Sequence, residues 1–130
     1  MSRIIVTGTR GWHDTDRVGA WLVRELHGFK DLHIIHGGSG RVDLAAGEWA
    51  QRGWAKERVF PANWGDFGKS AGPRRNQHMV DAGAHLCVAF WDGESRGTLD
   101  CITRAVKAGI PVRIVPAADR PQSARAGEGR

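Results

Sequence analysis

Ile4-Ile5-Val6-Thr7-Gly8-Thr9-Arg10-Gly11-Trp12 is the stretch that decides the fold. Its first four residues are all β-branched and read as a short buried strand, Ile4 to Thr7. The glycines that follow read as a turn whose backbone approaches something closely. The pattern recurs along the chain. Leu32 to His36 runs into Gly37-Gly38-Ser39-Gly40-Arg41, and His85 to Phe90 runs towards Asp92-Gly93-Glu94-Ser95-Arg96-Gly97-Thr98. Val112 to Val115 makes a further strand, and Glu57 to Pro61 a weaker one that ends in proline.

Between these runs the apolar period changes to that of a helix. Val18, Trp21, Leu22 and Leu26 fall on one face, predicting a helix from roughly Asp16 to His27 with Asp14 or Thr15 as its cap. Val42, Leu44, Ala45, Trp49 and Ala50 suggest a second, stopping at Gly53. A third is expected from about Pro73 to Gly83, and a fourth from Thr98 to Lys107 with Leu99, Ile102, Ala105 and Val106 on one face. Short strands alternating with helices imply an α/β domain with a three-layer, doubly wound parallel sheet of about five strands. One domain is expected over residues 1–116. The tail, residues 117–130, is rich in Pro, Gly, Arg and Ala without apolar period, so disorder is expected there.

At 130 residues, 41% hydrophobic and 25% charged, the chain suits one ordinary globular core and excludes collagen-like and coiled-coil classes. Eighteen glycines are about twice the usual share. The net charge of +5, of which the tail supplies one unit, suits an anionic partner. Two cysteines, Cys87 and Cys101, are too few for a disulfide scaffold, and a reducing cytoplasm fits them. The apolar start is too short for a signal-peptide core and no run approaches eighteen apolar residues, so a soluble protein with no membrane partner is expected. Six histidines show no metal-ligand spacing, and neither a metal nor a cofactor is expected. Of six tryptophans, Trp21, Trp49 and Trp54 are assigned to the core, while Trp12, Trp64 and Trp91 adjoin ligand-facing loops where an indole could either stack on a base or anchor the loop.

Ligands of an open parallel sheet gather outside the carboxyl ends of its strands. That rule selects Gly8 to Trp12, Gly37 to Arg41, Asn63 to Asn76 and Asp92 to Thr98. Three of these are glycine-rich and lead into helix N-termini, where bare N–H groups and the helix dipole favour phosphate. The first loop has G-x-x-G rather than G-x-G-x-x-G, and the second strand ends in His36 rather than an acid, which argues against a dinucleotide dehydrogenase. Gly68-Lys69-Ser70 is the end of a Walker A loop without its first glycine, although Lys69 remains within reach of phosphate.

Together, Val6-Thr7-Gly8-Thr9-Arg10, His36-Gly37-Gly38, Asp43, Ala71-Gly72-Pro73-Arg74-Arg75-Asn76-Gln77-His78-Met79 and Gly93-x-x-x-Gly97-Thr98 resemble the SLOG superfamily, in its YspA- and YpsA-related branch. The resemblance covers about residues 3 to 115 and implies a Rossmann-like fold that binds nucleotides or nucleotide-derived ligands. It also implies a homodimer, since LOG-like relatives associate through their helices. Some LOG-type members are phosphoribohydrolases that split a nucleoside 5'-monophosphate, using an arginine and a glutamate. Arg75 fits the arginine position; the glutamate position falls on Cys101, with Asp100 one residue early. Asp92, Glu94 and Asp43 are the other carboxylates near these loops.

The expected function is therefore binding of a nucleotide-derived small molecule by Gly8, Thr9, Arg10, Gly37, Gly38, Ser39, Asp43, Arg74, Asn76, Gly93, Gly97 and Thr98. A sensor or carrier role would follow from binding alone. The alternative is LOG-type hydrolysis, with Arg75 and Asp100 as the catalytic pair. A third reading is single-stranded DNA binding, as in DprA-like relatives, for which the basic composition speaks but no Lys/Arg run with interleaved aromatics does.

Overall fold

Successive side chains of a strand point to opposite faces, and the first strand divides the interior on that basis: Ile4 and Val6 enter one core, Ile5 the other. The structure, a computed structural model, describes residues 1–117. Its order is β1 (Ser2–Gly8), α1 (Val18–Glu25), β2 (Leu32–His36), α2 (Arg41–Trp49), β3 (Lys56–Val59), α3 (Trp64–Phe67), α4 (Ala71–Asp81), β4 (Leu86–Trp91), α5 (Arg96–Lys107) and β5 (Val112–Pro116). The strands form one sheet in the order β3-β2-β1-β4-β5, every neighbouring pair parallel.

Helices α1 and α2 cover one face through Val18, Leu22, Val42, Ala46 and Trp49, packed on Ile4, Val6, Ile34, Val88 and Phe90. Helices α4 and α5 cover the other with Met79, Val80, Cys101 and Ala105 on Ile5, Ile35 and Cys87. These three layers are the expected α/β, Rossmann-like arrangement. The chain winds outward from β1 to β3 on one side, then returns to pair β4 with β1, so the carboxyl ends of β1, β2 and β4 border the point of reversal.

Several local expectations need correction. Helix α1 begins at Val18 because a 3-10 turn, Thr15–Arg17, intervenes; no side-chain cap forms, and the Asp14 carboxylate lies 3.8 Å from Arg17 instead. Helix α4 starts at Ala71, placing Pro73 third, still within the first turn where no N–H is needed. A short helix, α3, appears where a loop is expected, capped by Asn63 Oδ1 accepting the Asp66 N–H at 3.1 Å. Trp54 is not core. Helix α2 runs on into a π turn, Ala50–Trp54, in which Gly53 takes φ +103°, and Trp54 swings out to stack on Trp49 while 57% exposed. The expected disordered tail, Ala117 apart, lies outside the described residues.

Candidate functional site

Two tight backbone approaches build the cleft at the reversal point. A Cβ on Gly8 would stand within 2.8 Å of three Val42 side-chain carbons, so only glycine lets α2 dock against the end of β1. That docking brings the Gly37–Gly40 loop beside the first loop, where the Arg41 N–H donates to the Arg10 carbonyl at 3.2 Å. Gly38 and Gly40 take φ +70° and +86°, left-handed values that favour glycine. At Gly37 a Cβ would collide with the Arg75 guanidinium.

The cleft encloses about 470 Å³. Arg10, Ser39, Trp64, Lys69, Arg75, Asn76, Arg96 and Asp100 are among the residues that line it. Arg75 donates through Nη1 to the Gly37 carbonyl at 2.9 Å and through Nε to Asn76 Oδ1 at 3.0 Å, with Ser39 Oγ 3.5 Å from Nη2. Asn76 is buried and turns its amide N–H groups to Asp100 Oδ2, at 3.0 Å, and to the Gly97 carbonyl, at 3.3 Å. The same Asp100 oxygen accepts from Arg104 at 2.9 Å. Asp43, also buried, accepts the Ser39 N–H at 3.1 Å. Burial pushes its carboxyl above the ordinary range, while that N–H and Arg75 pull in the opposite direction without cancelling the rise.

A larger groove of about 550 Å³ lies at the opposite end of the sheet, lined by Leu22, Leu26, Phe29, Trp49 and Trp54. It lacks the convergence of cations, amides and hydroxyls that the smaller cleft has. Among the described residues no group of His, Cys, Asp or Glu could hold a metal ion, and no helix is long and apolar enough to cross a membrane.

Residues 2–67 match the model of a family described as YspA, cpYpsA-related SLOG. The chain belongs to this SLOG family. It is 42% identical over 118 residues to the Gene 61 protein of Mycobacterium phage D29, covering 86% of this chain and 94% of that protein. The X-ray structure of TM1055 superposes with a TM-score of 0.62 at 15% identity, over 86% of this chain and 72% of that one, a likeness of fold alone. The C-terminal domain of PF1911 hydrogenase from Pyrococcus furiosus gives a TM-score of 0.49 at 12% identity, over 88% of this chain and 91% of that one.

Of the residues expected to bind in this SLOG member, Gly8, Arg10, Gly37, Ser39, Asp43, Asn76, Gly97 and Thr98 line the cleft, together with Arg75 and Asp100. Four do not. Thr9 Oγ1 accepts the Asp92 N–H at 3.1 Å and so ties two loops together. Gly38 spends its N–H on His36. Gly93 serves a turn at φ +85°, where Asp92 Oδ1 accepts the Glu94 and Ser95 N–H groups, both at 2.8 Å. Those bonds, Ser95 foremost, hold the Asp92 carboxyl below its ordinary range. Arg74 faces away, its guanidinium 4.3 Å over the Phe67 ring and bonded to Ser70.

Among the tryptophans, Trp12 is buried edge-on against Phe90 and Trp91 donates to the Ser95 carbonyl at 3.0 Å, so both anchor loops. Trp64 alone of the three presents itself to the cleft, 49% exposed and packed over Gly72. Residues that the sequence expectation left out are Thr7, Gly72, Pro73, Met79, Ser95 and Arg96. Ser95 and Arg96 were within reach of it, since they sit inside the segment leading into α5. Cys101, at the glutamate position of the hydrolases, is fully buried between α5 and the sheet.

Proposed function

We propose that the cleft binds a nucleotide or nucleotide-derived small molecule, with a phosphate near Arg10, Ser39 and Arg75 and an aromatic ring towards Trp64. The observation that carries this reading is the Arg75 guanidinium set against the glycine loop at the N-terminus of α2, where a cation and a helix dipole attract the same anion. Arg10, Lys69 and Arg96 add positive charge along the walls. Of the two carboxylates, Asp100 is ion-paired with Arg104, and Asp43 is buried and accepts the Ser39 N–H. The volume lies in the range of small-molecule sites. SLOG membership points the same way. The test is mass spectrometry of any small molecule released on denaturation, followed by calorimetric titration of AMP, ADP and ADP-ribose into protein freed of carried-over ligand. Absence of binding by all three would remove the reading.

One observation favours LOG-type hydrolysis as a second reading: Asp100 lines the cleft beside Asn76. A glycosidic bond breaks by building positive charge on the ribose, which a carboxylate would stabilise. Both hydrogen bonds that this carboxylate accepts anchor it to the wall, and Cys101 offers no carboxyl in its place. Binding without turnover is therefore the primary reading. Release of adenine from AMP by the parent protein, abolished by Asp100→Asn, would reverse that order.

A further inference from the structure

His36 closes β2 and is nearly fully buried, yet it is not among the residues lining the cleft. Its two ring nitrogens are both engaged. The Gly38 N–H points at Nδ1 from 2.9 Å, and Glu57 Oε2 lies 2.6 Å from Nε2. An N–H can only donate, so Nδ1 must be the bare acceptor, and the proton of the neutral ring then sits on Nε2, donated to the carboxylate. Glu57 is itself held by Gln51 Nε2 at 2.8 Å. These bonds from Gln51 and His36 keep the Glu57 carboxyl below its ordinary range. Gly47 supplies the room, since a Cβ there would collide with Glu57 and stand 3.1 Å from His36 Nε2. Glycine in a helix interior is unfavourable for the helix itself, and the space it leaves is filled by this bond.

The Gly38 N–H and the Gly37 C=O belong to one peptide unit, and a peptide unit is planar. His36 holds its N–H edge while Arg75 donates to its carbonyl edge at 2.9 Å. Rotating the plane would break both bonds at once. We propose that His36 is the positioning residue of the cleft: its bare Nδ1 orients the Gly37–Gly38 peptide and, through the carbonyl of that peptide, the Arg75 guanidinium. The consequence for affinity rests on the ligand reading above; the orientation of the loop does not.

Two isosteric substitutions separate the nitrogens. Asparagine places its Oδ1 near the position of Nδ1 and cannot reach Glu57, whereas glutamine reaches Glu57 and leaves Gly38 without an acceptor. The exchange rate of the Gly38 amide, measured by NMR in the ligand-free protein, is expected to stay within threefold of the parent in His36→Asn. In His36→Gln it is expected to rise at least tenfold, with AMP affinity following the same order. Equal exchange in the two variants would overturn the proposal, as would AMP affinities unrelated to that order in a parent that binds AMP. If the parent binds no nucleotide but the exchange order holds, the ligand reading fails and the positioning role stands. Should His36→Gln fail to fold, Glu57→Ala, which leaves Nε2 without its acceptor, decides: faster Gly38 exchange of at least threefold at an unchanged melting temperature supports the role, and unchanged exchange refutes it.

Discussion

Removing the Arg75 guanidinium should injure the fold and the site by separable amounts. Its bonds to Gly37 O, at 2.9 Å, and Asn76 Oδ1, at 3.0 Å, are well formed, while the 3.5 Å approach to Ser39 Oγ counts for little. Hydrogen bonds from a charged donor contribute about 1.5–3 kcal/mol when sequestered, but water in the cleft can serve the two abandoned acceptors, so Arg75→Ala should lower ligand-free stability by only about 1–2 kcal/mol. Loss of a charge-assisted bond to phosphate should remove a further ~1.5–3 kcal/mol of binding, which is roughly 10- to 150-fold in Kd. Urea titration reads the first quantity and calorimetry with AMP or ADP, corrected to folded protein, reads the second. Arg75→Lys keeps the charge without the fork and should fall between. If stability drops as expected while Kd per folded molecule moves less than twofold, Arg75 is structural only and the cleft has been misread.

Gly37→Ala should mimic Arg75→Ala, because the new methyl displaces the guanidinium; fold stability should change by less than about 1.5 kcal/mol, and the double variant should bind no worse than either single one by calorimetry. Asp43 has a raised native pKa, so its contribution to stability is present below its unfolded pKa and lost as pH rises through the native value; Asp43→Asn should therefore be the more stable protein at pH 7 in urea titrations, with the difference closing in acid below roughly pH 4. Ligand-induced quenching of tryptophan fluorescence should vanish in Trp64→Phe and survive in Trp12→Phe, since only the former ring faces the cleft. Retention of the full signal in Trp64→Phe would place the ring of the ligand elsewhere.

The strands were legible because β-branched runs such as Ile4 to Thr7 have few other uses, and their alternation with helical periods left little choice of topology. The identity of the loops was legible for the same reason. Which side chains in a loop face the cleft was not. Arg74 and Arg75 are neighbours of one type, yet a helical step of about 100° sends one to Phe67 and the other to Gly37. Thr9 looks like a phosphate ligand until Asp92, 83 residues away, presents an N–H to its hydroxyl. His36 reads in the sequence only as the end of a strand ahead of two glycines; its role depends on Glu57 and Gly38, whose meeting no local spacing announces. Asp100 borders the cleft despite its offset from the glutamate position because Asn76 reaches across from α4 to hold it.

The central strand has neighbours that arrive at very different times. Ile4 pairs with Ile34 on one side and with Leu86 on the other. Loop closure over the longer span costs about 0.9 kcal/mol more in chain entropy, a small sum, but during synthesis the difference is one of order rather than energy. The first 67 residues can assemble β1, β2 and β3 beneath α1 and α2 while one whole face and one edge of β1 wait for a partner. Arg75, Asn76 and Asp100 emerge only afterwards. The nascent chain thus carries its glycine loop before it carries the guanidinium that sits on it, and the cleft is complete only after β4 has closed the sheet. A polypeptide stopped short of β4 would leave one edge of β1 unpaired and the sheet face of Ile5 and Ile35 without α5, and be a substrate for chaperones or proteases, so truncation within the second half should lower protein abundance before any binding can be measured.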